Sequence, residues 1–511
     1  MPTIDNKPRA SSAQPATPAP HAAPVRATVE AVASAAQAPI PSGAHASRRL
    51  QHAAGPPTAV SLVELRARAD DDTLDTVFQK HLVDFRVAFA EMREHAPSIV
   101  FFGGARLLPK DPYYKLAQSF GAALAAKGIP PKTGAGPGAM HAVPAEFIAT
   151  RDLLQGRLVQ SFVAGASRFA DLGDQRTLGF NIKLPAEQKV SPAIESSSEI
   201  QQFAFRKFAL YENVRGVVVF PGGFGTIDEL MEVLVLKSAG KTNDPVVLAG
   251  RAYWQPILDA WRGAAARNGA DLLAGLLDDV LVTDDPQAAI AHIEGDGSSR
   301  ADVKAFESDP DELYVRMVRE LKLARYVATR QATAITVLGG DRLAKDDPVL
   351  ALVKDVASRA TGPLRVGNDG QVARALETSC DLQKVLWADA SPGAQAVSRH
   401  AKPAEGEARF SERIPHKEVL LRNSSAYLVL PCADRGKDEL TTVLCQMQTG
   451  KLPQKPLVLI DETYWRPIVQ SWQEQMLGTH HAYIDAADME LITYASSADD
   501  VLRALTPRAL S

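Results

Sequence analysis

Apolar residues along the chain fall into two alternating patterns. Residues 98–102, 216–220 and 245–248 are short continuous apolar runs, the pattern of strands that are buried on both faces. Between such runs, and before the first, apolar residues recur every three or four positions, as in residues 72–94, where the spacing predicts a helix. Strands that alternate with helices predict an α/β fold with a Rossmann-like, doubly wound parallel sheet.

The chain also repeats itself. IVFFGGAR at residues 99–106 returns as ITVLGGDR at 335–342, and PGGFGTIDEL at 221–230 returns as PCADRGKDEL at 431–440. A Tyr-Trp pair follows the second motif in each half. Three matches in the same order are hard to obtain by chance between two unrelated α/β units, so the sequence predicts two tandem copies of one fold.

Composition marks the region before the first copy as different. The first 60 residues contain 17 Ala and 10 Pro, and the prolines interrupt any helix that the alanines favour. We therefore predict a disordered tail at residues 1–60, a first domain at 61–300 and a second domain at 301–511.

Charge and cysteine content exclude several classes of protein. The chain has 56 Lys and Arg against 60 Asp and Glu, so it lacks the bulk positive field that favours nucleic acid or an anionic membrane. Cys380, Cys432 and Cys445 have no spacing that suits zinc or a disulfide framework, and we predict reduced thiols and no metal. With no apolar run of 18 residues and no secretory signal, a cytoplasmic location is expected.

Candidate chemistry lies in three glycine-rich turns at predicted strand ends of the first copy. In open parallel sheets ligands bind beyond the carboxyl ends of strands, where a helix N-terminus and bare backbone N–H groups favour an anion. Three such turns in one unit favour a nucleotide. Taken singly, each turn is explained equally well by glycine that is required only for a tight turn. The glycines predicted to contact the substrate are Gly103, Gly104, Gly136, Gly138, Gly222, Gly223 and Gly225.

A carboxylate and two cations accompany the last turn. Glu229 follows it by four residues, and Arg206-Lys207 precedes the strand that leads into it. Thr226 and Glu229 also have the spacing of a capping box, which would make the glutamate a helix cap, and the two cations could be a solvated pair. Their occurrence together favours a site that holds a phosphorylated ribose.

These residues resemble the LOG family, the cytokinin-activating phosphoribohydrolases and their bacterial nucleotide-hydrolysing relatives, which are often mislabelled lysine decarboxylases. The family's PGGxGTxxE motif and its upstream Arg-Lys pair are intact here at 221–229 and at Arg206-Lys207. Residues 178–188 are similar to the substrate-side loop of the larger members, and GAGPGAM at 134–140 stands at the family's other glycine-rich turn. The resemblance covers about residues 75–295.

The resemblance implies a glycosidase that cleaves the N-glycosidic bond of a nucleoside 5'-monophosphate, either AMP-like or a cytokinin riboside monophosphate. Arg206 and Glu229 would be catalytic, and Lys207, Thr226 and the glycine turns would bind the substrate. It implies no cofactor, and no lysine has a recognisable pyridoxal phosphate setting. A nucleotide-binding or regulatory protein without catalysis is the alternative.

The second copy departs from the motif. Cys432, Ala433 and Arg435 stand where the first copy has glycines, and His416 replaces Arg206. We expect a catalytically dead copy, packed on the first as an intrachain pseudo-dimer, with further homo-oligomers possible. The offset between the copies falls by 26 residues before the motif, which predicts loss of the loop equivalent to 178–188. Glu439, opposite Glu229, is interpreted as a helix-terminal charge that is favourable to the helix dipole, rather than as a catalyst.

Deletion of residues 1–60 is expected to leave the melting temperature and the activity nearly unchanged. A Pro/Ala-rich segment has too little apolar surface to offset the entropy lost on ordering. Thermal melts and turnover of the full and shortened chains check this, and a large loss of either would mean that the tail docks on a domain. A targeting role for the tail would survive the deletion test.

Overall fold

The computed structural model describes most of the chain from His95 onward. The described residues are 95–163, 175–182, 189–200, 203–268, 272–295, 317–318, 320–324, 327–328, 331–341, 343–367, 370–387, 407–410, 412–478 and 482–505. The predicted tail at 1–60 and the predicted helix at 72–94 lie outside this part of the chain.

The first unit is built on a seven-stranded sheet in which every neighbouring pair of strands is parallel, in the order β4-β3-β2-β1-β5-β6-β7. Its strands are β1 (Ser98–Phe102), β2 (Pro131–Thr133), β3 (Leu178–Ile182), β4 (Ser196–Ile200), β5 (Val214–Val219), β6 (Val246–Leu248) and β7 (Val280–Val282). Its helices are α1 (Pro112–Lys127), α2 (Ala139–Val163), α3 (Phe203–Tyr211), α4 (Phe224–Ser238), α5 (Arg251–Asn268), α6 (Leu272–Asp278) and α7 (Pro286–Glu294).

The second unit repeats this order strand for strand, as β11-β10-β9-β8-β12-β13-β14, again with only parallel pairs. Its strands are β8 (Ala334–Leu338), β9 (Leu364–Val366), β10 (Leu382–Trp387), β11 (Glu407–Phe410), β12 (Ser424–Val429), β13 (Leu457–Ile460) and β14 (Ile492–Ala495). Its helices are α8 (Pro348–Arg359), α9 (Gln371–Leu376), α10 (Arg413–Leu421), α11 (Asp434–Gln448), α12 (Glu462–Met476), α13 (Ala486–Met489) and α14 (Ala498–Leu505). The predicted α/β class and the two tandem Rossmann-like units are confirmed.

The shortening of the second unit lies elsewhere than the sequence offset suggested. Strand β10 is the counterpart of β3, so the strand that begins the 178–188 segment is kept, while residues 183–188 lie outside the described residues. The main difference is in the helix between the second and third strands, which has 25 residues in α2 and 6 in α9. The prediction that the deletion removes the counterpart of 178–188 is wrong, because the offset alone cannot show where residues are lost.

Two pairs of equivalent helices join the units, α4 against α11 and α5 against α12. The interface is apolar at one end, where the ring of Phe224 meets the edge of Trp472 at a centroid distance of 6.3 Å. Trp254, Trp261, Trp465 and Trp472, on α5 and α12, have no exposed surface. The ring contact between Phe224 and Trp472 favours a fixed pairing of the units. No helix in the described part of the chain is long and apolar enough to cross a membrane.

Candidate active site

The strand order reverses between β1 and β5, the two central strands of the first sheet. The chain winds outward from β1 through β2 to β4, then returns to the other side of β1 with β5. Such a switch point opens a crevice beyond the carboxyl ends of the two strands, where ligands bind in open α/β sheets. The turn at Gly103-Gly104 follows β1, and the turn at Gly222-Gly223 follows β5.

The glycine turns pack against one another so closely that side chains are excluded. The Gly104 N–H donates to the carbonyl of Pro221 over 2.9 Å, and the Ala139 N–H donates to the carbonyl of Gly104 over 3.2 Å. A Cβ on Gly138, whose φ is +69°, would overlap the Gly104 carbonyl. The glycines at these positions are therefore required by close backbone approach, and the turns form one rigid surface.

Helix α4 begins directly in the turn after β5. Its N-cap is Gly223, in extended conformation and without a side-chain capping bond, and Phe224 is its first residue. Thr226 is consequently the third helical residue, and its side chain fills the space beside Gly222. The capping-box interpretation of Thr226 and Glu229 is wrong, because the helix starts earlier than that pattern requires. The first N–H groups of α4 remain a suitable anion site.

Glu229 lies one turn further along α4 and is almost fully buried. One carboxylate oxygen accepts a hydrogen bond from the Tyr211 hydroxyl at 2.8 Å, and the other lies 3.5 Å from a guanidinium nitrogen of Arg206. Burial raises the pKa of Glu229, against the opposing effect of nearby Lys207 and Arg206. A carboxylate with a raised pKa that still has a cationic partner suits a general base or a stabiliser of positive charge.

Two backbone segments hold Arg206 next to Glu229. Its Nε donates to the carbonyl of Phe180 at the middle of β3 over 2.9 Å, and its guanidinium packs on Gly134, where any Cβ would overlap it. The structure thus brings Arg206 and Glu229 together, and it places Gly134 of the second glycine turn against the pair. Gly136 of the same turn is buried.

Lys207 is engaged at a different place. Its ammonium forms ion pairs with Asp228 at 2.8 Å and with Glu232 at 3.1 Å, on the side of α4 that meets the second unit. Only 4% of the residue is exposed. Gly225 likewise faces the second unit, because the nearest atom to a Cβ built on it is the sulfur of Cys445 at 3.6 Å. Both residues therefore lie at the interface between the units, and the nearby charge of Lys207 opposes the rise in the pKa of Glu229.

The equivalent turn of the second unit is closed by its own side chains. Ala433 is the N-cap of α11, and its N–H donates to a carboxylate oxygen of Asp341 at 3.3 Å. Asp341 stands where the first unit has Ala105 in the matched motif. The side chain of Cys432 packs against Gly339 and Gly436 in the same space. An internal carboxylate therefore occupies the N-terminus of α11, at the position where the first unit has Ala105.

The glutamate of the second unit also has a different setting. Glu439 is buried and bonded at 3.0 Å to Arg413, which lies one turn before the position that matches Arg206. Burial lowers the pKa of His416 to about 3, and this histidine contacts Arg413 and the carbonyl of Val385. The interpretation of Glu439 as a helix-terminal charge is wrong, because its partner is a buried arginine that the alignment did not suggest.

Sequence reasoning missed the part of the second unit that lies against the first unit's turns. A Cβ on Gly104 would overlap the ring of Tyr483, and one on Gly223 would come within 3.0 Å of the Tyr483 carbonyl oxygen. Next to it, Asp485 accepts two hydrogen bonds of 2.9 Å from the guanidinium of Arg106. Contacts between residues almost 400 positions apart leave no local signal in the sequence.

The chain matches the model of one protein family in both units. The family is described as possible lysine decarboxylase, and its model matches residues 164–293 and 394–505. The first matched region contains Arg206 and Glu229, and the second contains Arg413 and Glu439. No curated protein matches the chain.

Three solved structures are similar to single units of the chain. The protein TM1055 has 21% identity, with 29% of this chain and 72% of that one covered and a TM-score of 0.22. A molybdenum cofactor binding protein from Rippkaea orientalis has 18% identity, 39% and 96% coverage and a TM-score of 0.27. The molybdenum cofactor carrier protein from Chlamydomonas reinhardtii has 21% identity, 39% and 97% coverage and a TM-score of 0.25.

Proposed function

We propose that the first unit hydrolyses nucleoside 5'-monophosphates. The premise is that the chain belongs to the LOG family, whose model is described as possible lysine decarboxylase, and carries a second copy of the family's fold. The products would be the free base and ribose 5-phosphate. The observation that carries the proposal is the contact of Arg206 with a buried Glu229 beside glycine turns at the switch point of the sheet.

Cleavage of the N-glycosidic bond builds positive oxocarbenium character on the ribose. A carboxylate at Glu229 stabilises that charge and can take a proton from the attacking water. Its raised pKa brings the carboxylate closer to neutral pH, where a general base is most effective. Tyr211 and Arg206 fix the two oxygens of the carboxylate, so that it needs no reorganisation during the reaction.

The 5'-phosphate would lie on the N-terminus of α4. Extended Gly223 and the following helical residues present backbone N–H groups there, and Thr226 adds a hydroxyl beside Gly222. We assign Lys207 to the interface between the units rather than to the phosphate, because two buried carboxylates already neutralise it.

A decarboxylase that uses pyridoxal phosphate would need a lysine free to form a Schiff base with the cofactor. Four lysines are buried in the described part of the chain, and all four are engaged. Lys132 donates to main-chain carbonyls at the end of α3, and Lys207 is ion-paired with Asp228 and Glu232. In the second unit, Lys417 is ion-paired with Asp438, and Lys437 donates to the carbonyl of Cys432. These residues do not fit the cofactor.

The direct test is incubation of the full chain with the common nucleoside 5'-monophosphates and a cytokinin riboside monophosphate. Chromatography would detect free base, and a reducing-sugar assay would detect ribose 5-phosphate in equal amount. Binding of a monophosphate without release of base from any of them would contradict the proposal and support a nucleotide-binding regulatory protein.

We expect one nucleotide site per chain. Asp341 and Cys432 fill the turn of the second unit, whereas the equivalent turn of the first unit has Ala105 and Gly222. Isothermal titration of a Glu229→Gln variant with AMP, which prevents turnover during the measurement, should therefore saturate at one ligand per chain. Two equivalent sites would show that the second turn rearranges to admit phosphate.

A further inference from the structure

A histidine and a serine form a pair at the same edge of the first sheet. His141 lies in the first turn of α2, directly after the glycine turn that follows β2, the neighbour of β1. Its Nδ1 lies 2.7 Å from the hydroxyl of Ser191. Ser191 is buried, while His141 is partly exposed. Neither residue has a role in the function proposed above.

Backbone contacts fix this pair relative to the proposed site. The Ser191 N–H donates over 2.8 Å to the carbonyl of Ala135, the residue after Gly134, and Gly134 packs on the guanidinium of Arg206. Two residues before the histidine, the Ala139 N–H donates to the Gly104 carbonyl. His141 is therefore attached to the surface that carries Arg206 and to the turn after β1.

The hydrogen bonds of Ser191 leave one imidazole nitrogen available. The serine hydroxyl oxygen accepts a bond from the Ala193 N–H at 3.2 Å and also meets Nδ1, which orients the ring. Within the described part of the chain, Nε2 of His141 has no hydrogen-bond partner. An oriented ring with an open Nε2 can donate a proton to a ligand.

The proposed hydrolysis has a chemical need that Glu229 does not meet. When the N-glycosidic bond breaks, its electron pair goes to the departing base, and a purine leaves far more readily if one of its ring nitrogens is protonated. Glu229 is required on the ribose side, where it stabilises positive charge. We infer that His141, oriented by Ser191, is the acid that protonates the departing base, an assignment that rests on the proposed function.

The step balances with groups already named. Nε2 of the imidazolium gives its proton to a ring nitrogen of the base, while the bond from C1' to the base breaks and its electrons stay with the base. The oxygen of water bonds to C1', and the proton of that water passes to Glu229. That proton returns through solvent to His141, which restores both groups.

The test compares two leaving groups in the full chain. AMP needs a proton on its base, whereas the 4-nitrophenolate of 4-nitrophenyl ribofuranoside 5-phosphate leaves as an anion. His141→Ala should lower kcat for AMP on the order of a hundredfold, and kcat for the nitrophenyl substrate less than about threefold. His141→Asn, whose side-chain amide can still meet Ser191, should show the same selective loss. His292→Ala, at an exposed histidine of α7, should leave kcat unchanged for both substrates.

Equal losses of kcat for both substrates in the two His141 variants would show a structural role and overturn the assignment. Unchanged turnover of AMP in His141→Asn would overturn it as well. Failure of the underlying proposal is seen separately, because the unsubstituted chain would then release no base from AMP.

Discussion

Replacing Glu229 with glutamine is expected to reduce release of base from AMP a hundredfold or more while the protein stays folded. Glutamine keeps the size of the side chain and a hydrogen bond with Tyr211, but it carries no charge to stabilise the oxocarbenium ion and accepts no proton from water. Arg206→Ala should also lose most activity, because the carboxylate then loses the cation that orients it. Initial rates of base release and thermal melts of each variant give the measurement.

The second unit supplies the matched control for this experiment. Glu439→Gln makes the same chemical change at the equivalent helix position, and it also weakens a buried contact with Arg413. We expect this variant to melt at a lower temperature and to turn over AMP like the parent at temperatures where it is folded. Near-normal turnover in Glu229→Gln, or loss of activity in folded Glu439→Gln, would contradict the assignment of chemistry to the first unit.

Features that depend on local pattern could be predicted from the sequence. The run at 98–102 is β1 with the same bounds, and the runs at 216–220 and 245–248 fall on β5 and β6. Continuous apolar residues identify such strands because both faces of a parallel sheet are covered by helices. The duplication could also be predicted, since the turns that both units need keep their residues in order.

Features that depend on contacts between distant segments could not be predicted from the sequence. The spacing of Thr226 and Glu229 fits a capping box, but the structure starts α4 at Phe224 and gives Glu229 to Tyr211 and Arg206. An arginine at the matched position of the second unit was expected to be lost, yet Arg413 reaches Glu439 from one helical turn earlier. A side chain as long as arginine can serve a site from more than one backbone position, and an alignment of two copies does not reveal that.

The contacts between the units also could not be predicted from the sequence, and they strongly affect the stability of the chain. On α4, Glu232 receives Lys207 of its own unit and Lys417 of the second unit, and Asp228 accepts a hydrogen bond of 2.6 Å from Thr442. These side chains are nearly fully buried. The two lysines hold the pKa of Glu232 at about 2, against the effect of burial. The second unit thus supplies one of the two cations that keep Glu232 ionised.

Replacing Lys417 with methionine should therefore destabilise the chain by about 3–5 kcal/mol, since it leaves buried carboxylates without their shared partner. Urea unfolding at neutral pH measures the change. Lys127→Met, which removes an exposed lysine paired with Glu294, should cost less than about 1 kcal/mol. Addition of Glu232→Gln to Lys417→Met should recover part of the loss, because the charge left unpaired is then also removed.

Acid provides an independent measure of the same pair. The pKa of Glu232 is lower in the folded protein than its ordinary value of 4.5, so its contribution is fully present above about pH 4.5 and is lost as the pH falls toward 2. The parent should accordingly lose more stability between pH 5 and pH 3 than a Glu232→Gln variant does. Equal acid sensitivity of the two proteins, together with a small effect of Lys417→Met, would mean that the apolar contacts around Trp472 hold the units together without help from these charges.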